Sequence, residues 1–373
     1  MRGFTFKTGA VVGIAMLGAA WAARPASEIQ LAKTSLAAEG SPAAARSAKD
    51  WVQVSDDPEK GELTFLIGPI PLEANTSHHA VKNPPLVTVT VPTEGYVYGF
   101  EVQMQDGHGN PMTNAVLHHV NLIDPDHREL FSPVPRRLFA AGSETRNAGM
   151  PKFLGVPLEE GQKLIIVSMY HNPTPEHYPD AHLRVTLKYR SEGWFFPIAV
   201  APVYIDVMGH VGEKDFDLPP GVYERSWEGI PAISGRLLGA GGHLHAYSKT
   251  LRFEDVTSGK VLWEVGPVLD EEGQLVTVPI GKFWWKGGLP IVKGHTYRFT
   301  VIYDNPTGET LVGGGMGVLG GIFKPARGEE WPALNEEDPM YLANMEEIRV
   351  AAERRELGMP AGGEEHDQGT HAH

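Results

Sequence analysis

From about residue 63 onward the chain alternates short apolar runs with clusters of Gly, Pro, Asn and Asp. Residues 63–67, 86–91, 96–104, 116–123, 164–170 and 183–189 form a first set of such runs. A second set covers 203–208, 234–238, 242–253, 261–264, 275–278, 296–303 and 315–323. Runs of this length bounded by turn formers predict the strands of an antiparallel sandwich or barrel, here an all-β chain of two sandwiches in close contact. The aromatic stretch at 190–200, with Pro197, reads as a packed junction between them. No repeat of fixed period is visible. Only residues 338–357 carry a strong helical pattern: Asp338 can cap, Pro339 suits the first turn, Leu342, Met345, Ile348 and Ala352 recur at helical spacing, and Gly358 can end it.

The N-terminal 22 residues read as an export signal, with Arg2 and Lys7, an apolar run from Ala10 to Ala20 and an Ala-Trp-Ala cleavage site. Residues 23–60, rich in Ala, Ser, Lys and Glu, read as a linker. The expected organisation is therefore a signal at 1–22, a linker at 23–60, sandwiches at 61–190 and 191–326, and a helix with a polar tail at 327–373. That tail carries His366, His371 and His373.

Composition narrows the chemistry. A net charge of -14 argues against nucleic acid and anionic membrane surfaces as partners. No run beyond the signal is long enough to span a bilayer, so no membrane insertion is expected after cleavage, and the mature chain is expected in the periplasm or outside the cell. With no cysteine, disulfides, thiolate ligands and thiol nucleophiles are excluded. Any soft metal ligand must be methionine.

The histidines fall into a suggestive order. His243 and His245 in Gly-Gly-His-Leu-His lie two apart, so a strand aims both imidazoles to one face. A thioether from Met316, in Gly-Gly-Gly-Met-Gly, would complete a soft site that selects copper, especially Cu(I). His118 and His119 are adjacent, and adjacent strand residues face opposite ways. They can share a metal only at a bulge or strand end, through the ring nitrogen nearest the backbone. Met169 and His171 share a strand face, and either or both could reach that metal. His78 and His79 precede Pro84-Pro85 in a loop-like stretch and are given no role.

Taken in order, His118-His119, Met169-x-His171, His243-x-His245 and Met316 resemble the copper type II, ascorbate-dependent monooxygenases, the family of peptidylglycine α-hydroxylating monooxygenase and dopamine β-monooxygenase. The likeness spans roughly residues 85–326 and is densest in 116–122, 167–174, 239–250 and 293–323. It implies two jelly-roll-like domains with one copper each. His118, His119 and a third ligand from 169–171 would hold an electron-transfer copper; His243, His245 and Met316 would hold the copper that activates O2. It further implies ascorbate or another reductant, and hydroxylation of a substrate C–H bond. Two departures stand out. Met169 occupies the position of the family's third first-domain histidine, and Gly241 and Gly320 occupy the positions of the arginine and tyrosine that clamp a peptide carboxylate in the amidating enzyme.

Two functions of different class follow: a copper hydroxylase acting on a small molecule or peptide of unknown identity, or a copper-binding protein without turnover. A third reading is a partner-binding sandwich that carries the metal motif without using it. A cupin-type oxygenase would place a glutamate three or four residues after the second histidine, where Ser248 and Lys249 stand. Hydrolase motifs of the Gly-x-Ser-x-Gly and His-Glu-x-x-His types are absent.

Overall fold

The computed structural model describes residues 51–356 apart from 79, 144–146, 192–196 and 274. The expected export signal, most of the expected linker, part of the junction at 190–200 and the histidine-bearing tail lie outside the described residues.

Alternation builds the strands. In β22 below, Tyr297, Phe299, Val301 and Tyr303 are all buried at 1% exposure or less while Arg298, Ile302 and Asp304 between them are only half-buried, so one face enters a core. The first half comprises β1 (Val52–Asp57), β2 (Glu62–Leu72), β3 (Val87–Thr90), β4 (Gly95–Gln105), β5 (Leu117–Arg128), β6 (Pro135–Gly142), β7 (Asn147–Gly149), β8 (Leu154–Leu158), β9 (Lys163–Tyr170) and β10 (Tyr178–Arg190). The second comprises β11 (Ile198–Ala199), β12 (Ala201–Asp206), β13 (Asp215–Leu218), β14 (Gly221–Gly229), β15 (Gly235–Leu244), β16 (Ser248–Asp255), β17 (Lys260–Val265), β18 (Val268–Leu269), β19 (Leu275–Thr277), β20 (Gly281–Lys282), β21 (Leu289–Ile291), β22 (Tyr297–Asn305) and β23 (Leu311–Pro325). One helix, α1 (Pro339–Glu356), follows.

The sheets make this an all-β, jelly-roll-like pair of sandwiches. One sheet runs β1-β2-β10-β4-β8-β11 and faces a second, β3-β9-β5-β6, across a core that includes Phe65, Ile67, Leu122, Leu164 and Val185. In the second half a sheet β12-β23-β15-β20 faces β14-β22-β16-β17 across a core that includes Phe253, Phe299, Leu319 and Phe323. The two halves share one strand order, β2-β10-β4 matching β12-β23-β15 and β3-β9-β5-β6 matching β14-β22-β16-β17. They also share a hydrogen-bonded turn. Asn172 Nδ2 donates to Glu176 O (2.7 Å) and Asn172 Oδ1 accepts from Thr174 N (3.1 Å) and Thr174 Oγ1 (2.7 Å). Asn305 repeats each bond, to Glu309 O (2.7 Å), Thr307 N (3.0 Å) and Thr307 Oγ1 (2.7 Å). The repeat absent at sequence level is therefore present in topology.

Three local expectations change. The stretch read as linker up to residue 60 contains β1, which pairs with β2 because Val52 enters the core and Trp51 packs beside it. The single strand expected at 242–253 is broken: β15 stops at Leu244 and β16 starts at Ser248, with Tyr247 at φ 63° between them. The helix matches its expected bounds, with Met340 N donating to Asp338 Oδ1 (2.8 Å), but not its expected face. Leu342 is 48% exposed, whereas polar Asn344 is buried and donates to His210 O (3.1 Å).

The halves are joined firmly, all described residues lying within one compact unit. The β5–β6 connection inserts Leu130 and Phe131 into the second core, where Phe131 packs edge-on against Tyr297 (5.8 Å). Beside it, buried Glu129 accepts from Arg137 N (2.7 Å) and Tyr204 N (3.3 Å), the Arg137 guanidinium lies over the Tyr204 ring (4.3 Å), and Ser132 Oγ meets His210 Nδ1 (2.8 Å). At its far end α1 returns to the first half, where Arg355 donates to Pro84 O (3.1 Å) and Ser168 O (2.9 Å).

Candidate metal centres

The first candidate centre is made by a bulge. Leu117 pairs with Tyr170 and His119 with Met169, so His118 is an extra residue on β5. A regular strand would send His118 and His119 to opposite faces; the bulge turns both inward instead. Their Nδ1 atoms stand 2.9 Å apart, close to the separation of two nitrogens that each bind one ion at roughly 2 Å. The approach is anchored by the short turn Asn114–Val116, where Ala115 N donates to Thr113 Oγ1 (3.2 Å) and Met104 N donates to Asn114 Oδ1 (2.8 Å).

His171 arrives from the end of β9. Its backbone N donates to Val116 O (3.1 Å), and its ring donates to the Ala115 carbonyl. The other ring nitrogen, Nε2, is buried with no hydrogen-bond partner. A ring fixed by a donor bond on one nitrogen and offering a bare lone pair on the other is the arrangement of a metal-binding histidine. The ring stands edge-on to His118 at 5.6 Å. His78, given no role above, has its ring 4.6 Å from that of His118 and inclined to it by 35°. Its neighbour His79 lies outside the described residues.

Burial, reinforced by His119, His78, His171 and His245, pushes His118 down to about 2, and burial lowers His171 as well. Both are thus neutral at ordinary pH, the form that binds metal. The contribution of His245 to His118 brings the second half to the first: the two histidine sets lie within electrostatic reach of each other.

The second candidate centre lies where β15 and β23 end their ladder. His243 pairs with Val318 and Leu244 with Gly317, and the register continued by one step puts His245 opposite Met316. The His243 and His245 rings meet edge-on at 5.4 Å. Beyond Leu244 the ladder is replaced by a single hydroxyl. Tyr303 Oη accepts from His245 N (3.0 Å) and Met316 N (3.2 Å) and donates to Met316 O. Tyr303 belongs to no motif singled out above; its place on the apolar face of β22 is the available signal.

Glycine plays two parts here. A Cβ on Gly242 would meet Leu251 Cδ1 at 2.4 Å and one on Gly317 would meet Val301 Cγ1 at 2.6 Å, so these glycines let strands and core approach closely. Gly241 and Gly320 differ. They are register partners on the face that carries His243 and Met316, and a Cβ would meet only Ile280 at 3.6 Å in one case and nothing within 4 Å in the other. Their surface is open and offers no side chain to a ligand.

The equivalent of the first centre in the second half holds no histidine. Ser248 pairs with Tyr303 and Thr250 with Ile302, so Lys249 is the bulged residue in the position of His118, and Asp304 stands in that of His171. Lys249 Nζ and Asp304 Oδ2 lie 3.9 Å apart. Among the described residues, no group of three or more His, Cys, Asp or Glu side chains is arranged to hold a metal ion. His118 and His119 with His171 beside them are a partly assembled set of imidazoles.

No protein-family model and no curated protein matches this chain. Among solved structures it is distantly similar to PNGF-II in a P21 crystal form, with 11% identity, 70% of this chain and 66% of that chain covered and a TM-score of 0.36. A C2 form of PNGF-II gives 10% identity, 72% and 66% coverage and a TM-score of 0.33. The chain thus spans about two-thirds of PNGF-II. Tripeptidyl peptidase 2 gives 11% identity, 73% and 24% coverage and a TM-score of 0.18. Likenesses this weak bear on neither mechanism nor substrate.

Proposed function

We propose that this chain binds two copper ions and uses them, with O2 and a reductant such as ascorbate, to hydroxylate a substrate C–H bond, as in the copper type II monooxygenases that its motifs resemble. The observation that carries the reading is the bulge at His118: it brings two Nδ1 atoms within 2.9 Å beside the unpartnered, buried Nε2 of His171. Burial holds His118 and His171 neutral, so their rings offer lone pairs and no charge. His118, His119 and a third donor from His171 or Met169, which lies opposite His119, would hold one ion; His243, His245 and Met316 would hold the other. When bound, copper would supply one-electron chemistry and O2 activation at the softer second centre.

The protein's own groups have definite tasks in this reaction. In the balance, one oxygen atom enters the C–H bond and the other leaves as water, with two electrons from the reductant and two protons from the reductant or solvent. Neutral imidazoles present lone pairs to the metals. Tyr303 keeps His245 and Met316 in register, and the second core beneath Gly317 keeps water from that side of the site. Substrate would approach over the open face of Gly241 and Gly320, where neither glycine supplies the side chain that clamps a peptide carboxylate in the amidating enzyme. The setting would be the periplasm or the extracellular space.

A copper-holding protein without turnover is the second reading, favoured by that same unfurnished face. The experiment is reconstitution of the mature chain with Cu(I), removal of loosely held metal by a competing chelator, and measurement of copper per chain and ascorbate-dependent O2 uptake. Two coppers with uptake abolished by His243→Ala or Met316→Ala support the hydroxylase. Two coppers without uptake across a range of C–H substrates favour the holding protein. No tightly held copper overturns both.

A further inference from the structure

The loop between β2 and β3 is fastened to the turn that carries His171. Thr76 N donates to Asn172 O (2.8 Å), Asn172 N donates to Thr76 O (2.7 Å), and Asn75 N donates to Thr174 O (2.9 Å). Asn172 Nδ2 also donates to Glu73 O (2.9 Å). Asn75 takes the left-handed conformation at φ 51°, and Ala80 N and Val81 N both donate to Ser77 O (3.0 and 3.3 Å), which closes a turn around residue 78. The result is a half-buried His78 ring at 4.6 Å from His118 and inclined to it by 35°. His171 stands at 5.6 Å from the same ring, and His119 at 5.1 Å. Three imidazoles therefore surround a fourth, and the loop that brings His78 is bonded to the Asn172 hub that also sets His171.

We propose that His78 is a fourth imidazole ligand of the first centre, binding the same copper ion as His118, His119 and His171. The inference rests on the copper reading above. Its chemical consequence separates the two centres. Four nitrogen donors leave no open position for O2, which suits electron transfer, whereas two nitrogens and a thioether at the second centre leave one. Nitrogen from His78 also removes any need for the Met169 sulfur.

The test uses the full mature chain and Cu(I). Copper per chain, first-site affinity by chelator competition and X-ray absorption are compared for wild type, His78→Ala, His78→Gln, His118→Ala and the second-centre variant His243→Ala. Absorption is read on His243→Ala, whose tightly held copper reports the first centre. The expected result is a nitrogen-only first shell there, and a first-site affinity reduced at least ~tenfold in both His78 variants, with second-site copper retained as proof of folding. First-site copper bound equally tightly in both His78 variants but lost in His118→Ala would overturn the fourth ligand and leave the copper reading standing. A sulfur scatterer in the first shell would likewise overturn it in favour of Met169. Copper retained even in His118→Ala would overturn the copper reading itself.

Discussion

Removing one hydroxyl, in Tyr303→Phe, is expected to loosen the second centre without unfolding the protein. That hydroxyl is buried, and burial pushes its pKa up to about 12, so at ordinary pH it carries its proton and donates. It makes three hydrogen bonds, accepting from His245 N and Met316 N and donating to Met316 O. Each neutral hydrogen bond contributes ~0.5–1.5 kcal/mol net, so the loss is about 2–4 kcal/mol. Tyr297→Phe is the control on the same strand: its hydroxyl is bonded only to Val292 N (2.7 Å), and its loss should cost about 1 kcal/mol. Urea unfolding followed by tryptophan fluorescence reads both. Cu(I) competition then separates stability from positioning, because Tyr303→Phe should weaken second-site copper at least ~tenfold, the equivalent of 1.4 kcal/mol, while Tyr297→Phe leaves it unchanged. Equal copper affinities in the two variants would refute the positioning role even if the stabilities differ as stated.

Other consequences follow from the same structure. Asn172→Ala and Asn305→Ala each delete the hub of a turn and should each cost about 2–4 kcal/mol in urea melts, but only Asn172→Ala should weaken first-site copper in a Cu(I) titration. Burial raises the Glu129 carboxyl from 4.5 to about 7 against the lowering influence of Arg137 and Arg136. An acid raised in the folded state keeps a proton that the unfolded chain has already released, so wild type should lose stability relative to Glu129→Gln as pH rises from 4.5 to about 7, by up to ~1.4 kcal/mol per pH unit; a difference that stays flat across that window contradicts it. Gly242→Ala, which drives a Cβ to 2.4 Å from Leu251 Cδ1, should destabilise by about 1–3 kcal/mol in thermal melts, and Gly320→Ala, which meets nothing within 4 Å, should stay within about 0.5 kcal/mol of wild type.

The strands that sequence reveals are those with one clean apolar face, such as β2, β9 and β22. Those it hides have a physical reason to be hidden. β6 opens with Pro135, Arg136 and Arg137, whose polar heads are absorbed at the junction between the halves, so the strand does not look like one. β14 runs at the edge of its sheet and alternates between half-buried and exposed residues without any deeply buried one. The pairing of His118 with His119 was legible as a demand for a bulge, and the bulge is there. Neither His78 nor Tyr303 was legible as a site residue. His78 depends on a loop fixed from far along the chain by Asn172, and Tyr303 acts through a hydroxyl whose partners are backbone atoms of other strands, a relation that leaves no mark in local pattern.

The duplicated scaffold sharpens what is particular about the first centre. Both halves carry the bulge, the buried tyrosine and the Asn-Pro-Thr turn in equivalent places, so none of these exists for the sake of a metal. Only the side chains differ. In the second half the bulged position is Lys249 and the position before the turn is Asp304, opposite charges 3.9 Å apart that compensate each other in water. In the first half the same two positions are His118 and His171, joined by His119 and His78, and the leading influences on His118 are burial and the neighbouring imidazoles. The scaffold therefore tolerates an ordinary ion pair where the first half has gathered imidazoles, and the equivalent tyrosine, Tyr303, bonds the backbone N–H groups of His245 and Met316 instead.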